Sequence, residues 1–220
     1  MNTELTNTEV NAMLQVVAQE IIKNVDVLTD ADIATGDGDH GIGMRRGFEA
    51  ALEVLRTEPG LSVEDAFKKT GMAIMSKTGG AAGAVFGTLF RGGAAAFSGK
   101  DRLDAKSFAA FLTLSSVAVS KRGGVVEGAK TMLDAIAPAA RAVAEVKSND
   151  MVKVFAAAER GARGGVLASK AMVATTGKAR SLGERSIGHP DPGAISVLII
   201  LGAMNSYCAA RTGQHTNSEG

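Results

Sequence analysis

Three carboxylates crowd into one short, glycine-rich stretch between two helical patterns. The stretch reads D-I-A-T-G-D-G-D-H-G-I-G-M-R-R-G from Asp32 to Gly47 and also contains Asp37 and Asp39. Because like charges repel, such a cluster usually needs a cation, and carboxylate oxygens without cysteine suit Mg2+ or Ca2+. The glycines can expose backbone N–H groups to phosphate oxygens. We therefore interpret the stretch as a Mg2+ site that carries a phosphorylated ligand.

Two other interpretations of the same stretch are weaker. An acidic surface turn is the simplest, since Asp and Gly are ordinary turn residues. An EF-hand fits poorly, because counting from Asp37 puts Gly41 at loop position 5 and Phe48 at position 12, where that loop needs side-chain ligands. Three Asp followed by His40, between two helical patterns, favour the metal site.

Composition limits the class of protein. The 220 residues can bury a sizeable core, and no repeat or low-complexity linker divides them. A net charge of +1, from 24 basic and 23 acidic residues, argues against binding of nucleic acid through overall positive charge. The single cysteine, Cys208, fits a reducing compartment. With no signal-peptide pattern and no apolar run long enough to span a bilayer, we expect a cytoplasmic protein without a membrane partner.

Helical periodicity predicts an all-α chain of about eight helices with no confident strand. The cleanest helix runs from Thr8, its predicted N-cap, to Leu28. A second helix, from His40 or Gly41 to about Arg56, would bring its positive N-terminal dipole beside the carboxylates. Further helices are predicted at about 62–76, 80–93, 105–120, 131–146 with a kink or break at Pro138, 150–163, 165–175 and 193–210.

Two other segments favour binding over a purely structural role. T-G-G-A-A-G, beginning at Thr78, could cradle phosphate on backbone N–H groups at a helix start. Alone it is a weak signal, because Gly- and Ala-rich helices also pack closely for structural reasons. The polar segment from Thr176 to Pro192 lacks helical periodicity, and its basic residues could neutralise phosphate charge. An exposed basic linker is the alternative for this second segment.

Together the motifs resemble the L subunit of dihydroxyacetone kinase, the DhaL or DAK2 nucleotide-binding family. The resemblance covers nearly the whole chain and rests on D-I-A-T-G-D-G-D-H-G, G-G-A-A-G-A-V-F-G-T-L-F, K-T-M-L-D and L-G-E-R-S-I-G-H-P-D-P-G-A. It implies a single domain over residues 1–220, folded as an eight-helix antiparallel barrel with the nucleotide site in the loops at one end. The polar residues 212–220 are expected to be a disordered tail.

The resemblance also implies roles for individual residues. Asp32, Asp37 and Asp39 would bind two Mg2+ ions, and ADP or ATP would bind beside them. No catalytic residue is implied beyond these metal and phosphate contacts. The residues implied to contact the nucleotide are His40, Gly41, Ile42, Gly43, Met44, Gly80, Ala81, Ala82, Gly83, Gly123, Thr131, Met132, Lys178, Pro190, Asp191 and Pro192.

Three positions depart from the family pattern. Ala82 stands where Ser or Thr is usual, so one hydroxyl contact to phosphate is lost, worth on the order of 1–3 kcal/mol if nothing replaces it. Ala129 stands where Asp is common. Lys178 replaces the usual Arg, which exchanges a bidentate fork for a point charge. The three Asp are unaffected, whereas the nucleotide preference and the sugar substrate are left open.

The implied function is a kinase subunit that transfers a phosphoryl group to dihydroxyacetone or a related keto-sugar such as erythrulose. The sugar would be held by a separate K-type subunit, and a phosphotransferase-system protein could rephosphorylate a retained ADP. A homodimer is a further option. The main alternative is a non-catalytic nucleotide-state sensor of the same fold. Two further alternatives are weaker. A fatty-acid-kinase-like protein would need a long C-terminal extension that this sequence does not contain. A Mg2+-dependent hydrolase would give no role to the glycine turn or to the basic segment.

Overall fold

The structure, a computed structural model, describes the backbone of residues 3–216 and the side chains of residues 3–211. Within these residues it contains nine α-helices, two 3-10 helices and two short strands. The strands are β1 (Glu4–Thr6) and β2 (Arg102–Asp104), and the 3-10 helices are Ala94–Phe97 and Lys178–Ser186. The α-helices are α1 (Asn7–Lys23), α2 (Val25–Ile33), α3 (His40–Thr57), α4 (Val63–Thr78), α5 (Gly80–Gly93), α6 (Ala105–Gly123), α7 (Leu133–Ala144), α8 (Met151–Ser169) and α9 (Pro192–Thr216).

Eight of the helices close into a ring. Each helix from α3 to α9 packs against the next, and α1 closes the ring by packing against both α3 and α9. The short helix α2 lies against α3 and α9 in addition to this ring. The predicted all-α, eight-helix antiparallel barrel is therefore confirmed. Because neighbouring helices alternate in direction, helices α3, α5, α7 and α9 all begin at the same end of the barrel.

The barrel interior is filled by phenylalanine. Aromatic residues make up only 4% of the chain, yet all eight phenylalanines are almost completely buried. The ring of Phe67 lies 4.7 Å from that of Phe111 and 4.8 Å from that of Phe97, and Phe108 meets Phe155 at 4.6 Å. Such pairs contribute packing energy beyond their buried area. A small number of large side chains thus contributes strongly to the core of a chain that is otherwise rich in Ala and Gly.

Several predicted boundaries differ in the structure. The first predicted helix is interrupted at Asn24, which caps α1 and starts α2. Its N-cap is Thr6 rather than Thr8, because Thr6 and Glu9 form a reciprocal capping box. The predicted separate helix at 165–175 is wrong, because α8 continues to Ser169 and a loop follows.

Two features were not expected from periodicity, the strand pair and the length of α9. Strands β1 and β2 pair antiparallel with Leu5 opposite Leu103, and at three residues each they are too short to give an alternating pattern. At Pro138, where a kink or a break was predicted, α7 continues without a break. Helix α9 runs on to Thr216, past the predicted end at Ala210, and residues 217–220 of the expected disordered tail lie outside the described residues.

By length and composition alone, residues Pro192–Arg211 of α9 could cross a membrane, with a mean hydropathy of 1.6. The same segment packs against α1, α7 and α8 as one member of the ring. A core helix of a barrel needs an apolar face for that packing, so the composition of α9 is explained by its position in the fold.

Close packing of α7 and α8 depends on two glycines of α8, Gly161 and Gly165. A Cβ at Gly165 would lie 1.8 Å from the carbonyl oxygen of Asp134, whereas a Cβ at Gly164 would meet nothing within 4 Å. We expect Gly165→Ala to destabilise the protein by roughly 1–3 kcal/mol through overpacking. Gly164→Ala, the matched control, should be neutral or stabilising by up to about 1 kcal/mol. Urea unfolding followed by circular dichroism measures both, and equal stabilities would contradict the close contact.

Candidate functional site

The three carboxylates of the Asp-rich stretch converge in the structure. Asp32 ends up buried in the last turn of α2, while Asp37 and Asp39 are exposed in the loop that leads to α3. One oxygen from each carboxylate lies within 4.8 Å of the others. The backbone N–H of His40 donates to Oδ2 of Asp32 at 3.1 Å, which fixes that carboxylate at the start of α3. Gly36 permits this arrangement, because a Cβ there would lie 2.2 Å from Oδ1 of Asp32.

A cation already lies between two of these carboxylates. The Nζ atom of Lys178 is 2.5 Å from both carboxylate oxygens of Asp37 and 2.9 Å from Oδ2 of Asp39. This contact holds the pKa of the Asp37 carboxyl below its usual value and raises the pKa of the Lys178 ammonium. Carboxylate oxygens gathered in this way are the hard ligands that Mg2+ prefers, so Asp32, Asp37 and Asp39 could together hold one.

The glycine turn lies at the start of α5. Gly79 and Gly80 have φ angles of +79° and +57°, which glycine adopts without strain. The N-cap of α5 has no side-chain hydrogen bond, so its first N–H groups are available to an anion. The guanidinium of Arg46 donates to the carbonyl oxygen of Thr78 at 3.1 Å, which brings a positive charge beside this turn.

His40 links the metal cluster to the last helix. Its Nε2 atom lies 2.8 Å from the hydroxyl oxygen of Ser196 on α9. Burial lowers the pKa of His40, although the neighbouring carboxylates of Asp32 and Asp39 oppose this shift. A neutral ring held by Ser196 positions the first turn of α3 and adds no full charge of its own to the site.

The segment between α8 and α9, residues 170–191, is here called the C-terminal loop. Its last residue, Asp191, caps α9 by accepting a hydrogen bond from the N–H of Ala194 at 2.7 Å. Burial raises the pKa of the Asp191 carboxyl to about 7, and Asp134 adds to this shift while Lys130 opposes it. The loop brings Lys178 to the Asp cluster, which lies close to α9 because α2 packs against α9 and His40 contacts Ser196.

These elements surround a cavity of about 400 Å³ at the end of the barrel. One part of its wall is polar, with Asp32, Asp39, Arg46, Lys178 and the glycine turn. The other part is apolar and consists of Val85, Phe86, Val119, Val125 and Met132. The volume suits a small organic ligand. A ligand with an anionic end and a flat apolar end would match this division.

Most of the predicted site residues line this cavity. Besides Asp32 and Asp39, the predicted residues in its wall are His40, Gly43, Gly80, Ala81, Ala82, Gly123, Thr131, Met132, Lys178, Asp191 and Pro192. Asp37 joins the site through its carboxylate contacts.

The remaining predicted residues are not in the cavity wall. Met44 is completely buried in the core, and Gly41 packs against α2, where a Cβ would lie 2.2 Å from the Thr29 hydroxyl. The others outside the wall are Ile42, Gly83 and Pro190. Residues three or four apart at a helix start share one face, so His40 and Gly43 face the cavity while the residues between them face elsewhere.

Two cationic residues of the cavity wall, Arg46 and Lys130, were not predicted as site residues from the sequence. Arg46 follows Gly43 by three residues, a helical spacing that could have indicated it. Lys130 lies in the K-T-M-L-D motif but was given no role. It is the more unusual of the two, because it is a buried lysine with a left-handed backbone.

A helical barrel whose loops at one end join a carboxylate cluster to an uncapped glycine turn defines a metal- and phosphate-binding domain. The DAK2 domain profile matches residues 34–206, and the chain therefore belongs to the DAK2 domain family.

Proteins with known names are similar in sequence to this chain. The chain is 36% identical over 186 residues to the PEP-dependent dihydroxyacetone kinase 1, ADP-binding subunit DhaL, of Listeria innocua, covering 84% of this chain and 89% of that protein. It is 30% identical to L-erythrulose 1-kinase of Mycolicibacterium smegmatis over 89% of this chain, which spans only 35% of that kinase.

A solved structure shares the fold. The crystal structure of dihydroxyacetone kinase from C. freundii in complex with AMP-PNP and Mg2+ superposes with a TM-score of 0.69 at 21% identity. The superposition covers 90% of this chain and 33% of that kinase, so the chain spans about a third of that kinase's length.

Lys178 and a divalent cation should compete for the same carboxylates. We expect Lys178→Met to bind Mn2+, a probe for Mg2+, several-fold more tightly than the unaltered protein, because no ammonium has to leave Asp37 and Asp39. Arg180→Met, which removes an exposed basic side chain two residues along, is the control and should leave Mn2+ affinity unchanged. Titration followed by electron paramagnetic resonance measures both, and unchanged or weaker binding by Lys178→Met would contradict the competition.

Proposed function

We propose that this chain is the nucleotide-binding subunit of a PEP-dependent dihydroxyacetone kinase. The observation that carries this proposal is the meeting of the Asp cluster, the uncapped glycine turn and an apolar wall in one cavity. The ADP-binding relatives, of which the chain covers more than four fifths, support the same function.

In this proposal the ligand is ADP or ATP with two Mg2+ ions. Asp32, Asp37 and Asp39 hold the metal ions, as the position of the Lys178 ammonium between two of them supports. The phosphates bind the N–H groups at the starts of α3 and α5. The nucleotide base would lie against the apolar part of the cavity wall, which includes Val85 and Phe86.

The chain's own residues act mainly by positioning and charge. The bound Mg-nucleotide supplies the phosphoryl group and the positive charge that accompanies it. Arg46, beside the glycine turn, and Lys178, at the Asp cluster, would offset the negative charge of bound phosphates. Ser196 holds His40, and thereby the first turn of α3, in place.

We propose that a K-type subunit binds dihydroxyacetone and docks over this end of the barrel. A phosphotransferase-system protein would rephosphorylate the retained ADP, as expected for a cytoplasmic subunit of the PEP-dependent type. A homodimer remains compatible with the rest of the surface.

Exposed apolar residues on the segments at the site end support docking there. This group, here called the apolar rim, consists of Ile33 at the end of α2, Ile42 in the first turn of α3, Val126 between α6 and α7, and Val173 and Ile187 in the C-terminal loop. Val126 is 73% exposed and Ile33 is 63% exposed. Apolar side chains gathered in this way commonly mark a protein–protein contact.

Two alternatives are separated by simple observations. A nucleotide-state sensor would bind nucleotide without supporting sugar phosphorylation by any K-type subunit. An erythrulose kinase subunit would support phosphorylation of erythrulose in preference to dihydroxyacetone, as the erythrulose kinases among the relatives suggest. The Asp cluster favours an enzyme, because sensing alone does not require so costly a concentration of charge.

Retained nucleotide is the first test. Protein purified without added nucleotide and then denatured should release stoichiometric ADP. Asp37→Asn should release none and should lose turnover in the reconstituted system, because a metal ligand is removed. Asp26→Asn, an exposed aspartate at the start of α2, is the control and should behave like the unaltered protein.

Other outcomes of this test lead to different conclusions. Empty protein that binds ATP only with Mg2+ would indicate a subunit that exchanges ATP freely. Empty protein that binds neither nucleotide would contradict the proposed function.

The apolar rim predicts a separable effect on partner docking. We expect Val126→Asp to raise the concentration of K-type subunit needed for half-maximal turnover, while the affinity for ADP stays unchanged. Val117→Asp, at a similarly exposed valine in the middle of α6, is the matched control and should alter neither value. Steady-state titration with the partner measures the effect. Equal values for the two variants would place the partner elsewhere on the barrel.

A further inference from the structure

Both ends of the C-terminal loop meet at one buried ammonium. The Nζ atom of Lys130 donates to the carbonyl oxygen of Ser169 at 2.6 Å, at the end of α8. It also donates to the carbonyl oxygens of Met172 at 3.1 Å and His189 at 2.6 Å. Since Met172 opens the loop and His189 nearly ends it, one side chain ties the two ends together at their base.

Lys130 is fixed in place by its own surroundings. It is 3% exposed, and its φ angle is +60°, a conformation that a lysine adopts only when neighbouring contacts enforce it. Asp134 enforces it here, because its two carboxylate oxygens accept the N–H groups of Gly128 at 2.5 Å and Thr131 at 2.7 Å. The carbonyl oxygen of Ala129 in turn accepts the N–H of Thr175 in the C-terminal loop at 3.3 Å.

The charge of Lys130 is not explained by an ion pair. Its hydrogen-bond acceptors are three neutral carbonyl groups, and burial lowers the pKa of its ammonium, while Asp191 and Asp134 act in the opposite direction. A buried cation costs free energy, which a purely structural contact between two loops does not require. Strain and a buried charge in one residue of a cavity wall point to a functional constraint.

We propose that Lys130 is a positioning residue that clasps the C-terminal loop and so holds Lys178 and Asp191 over the nucleotide site. The part that concerns nucleotide rests on the proposed function, whereas the clasp itself does not. The three carbonyl groups converge on the ammonium, so the loop keeps one shape at its base. Lys178, about halfway along the loop, then reaches the Asp cluster.

Hydrogen exchange of the full-length protein tests the clasp directly. In Lys130→Met, which keeps the length of the side chain but removes its charge and donors, we expect amide protection to fall across residues 170–191. Protection in the middle of α7 and α8 should stay unchanged. The dissociation constant for ADP with Mg2+ should rise about ten-fold, as for the loss of hydrogen bonds to a charged group.

Two further variants separate positioning from general stability. Lys130→Arg retains the positive charge and should restore part of the loop protection and part of the nucleotide affinity. Lys170→Met removes an exposed lysine at the start of the same loop and should change neither measurement. If Lys130→Met does not fold, Lys130→Gln, which keeps shorter neutral donors, should show a smaller loss of protection in the same residues.

The outcomes distinguish the clasp from the proposed function. Loop protection in Lys130→Met or Lys130→Gln equal to that of the unaltered protein would overturn the clasp. A fall in loop protection without any change in ADP affinity would overturn the positioning role of Lys130. If the unaltered protein binds no nucleotide, the proposed function fails. The hydrogen-exchange measurement alone then tests whether Lys130 holds the C-terminal loop.

Discussion

The alternating direction of the eight ring helices is the constraint on which the site depends. It brings the starts of α3, α5, α7 and α9 to one end of the barrel, together with the four segments that precede them. Each helix start carries roughly half a positive charge and N–H groups without helical partners. An anion at this end is therefore stabilised by the fold as a whole before any side chain is considered.

The site balances opposite charges over short distances. Three carboxylates would repel one another, and the ammonium of Lys178 offsets two of them by reaching across from the C-terminal loop. Arg46 adds a second cation beside the glycine turn, where the helix start already favours anions. A metal-bound phosphate ligand satisfies both sets of groups, because it brings positive charge to the carboxylates and negative charge to the helix starts.

The core explains how a chain with so few aromatic residues supports this site. The phenylalanines concentrate between the helices of the ring, and small residues such as Gly165 let α7 and α8 approach closely. A rigid barrel of this kind holds loops from four different helix pairs in fixed relation, which a loop-based binding site requires.

The sequence by itself determined the helical class, and it singled out the Asp-rich stretch and the two segments that accompany it. Local periodicity and residue chemistry carry that information, since the helices predicted at about 62–76 and 105–120 begin within one residue of α4 and α6. It predicted poorly where a contact is distant: the pairing of β1 with β2, and the roles of Arg46 and Lys130.

Only the tertiary structure decided which members of each motif face the cavity. Met44 and Gly41 belong to the same motif as His40 and Gly43, yet they turn to the core and to α2. Lys178 meets Asp37 across 141 positions of sequence, and Lys130 meets His189 across 59. Such pairs depend on how the ring closes, and closure arises from the packing of all eight helices together, which no local pattern encodes.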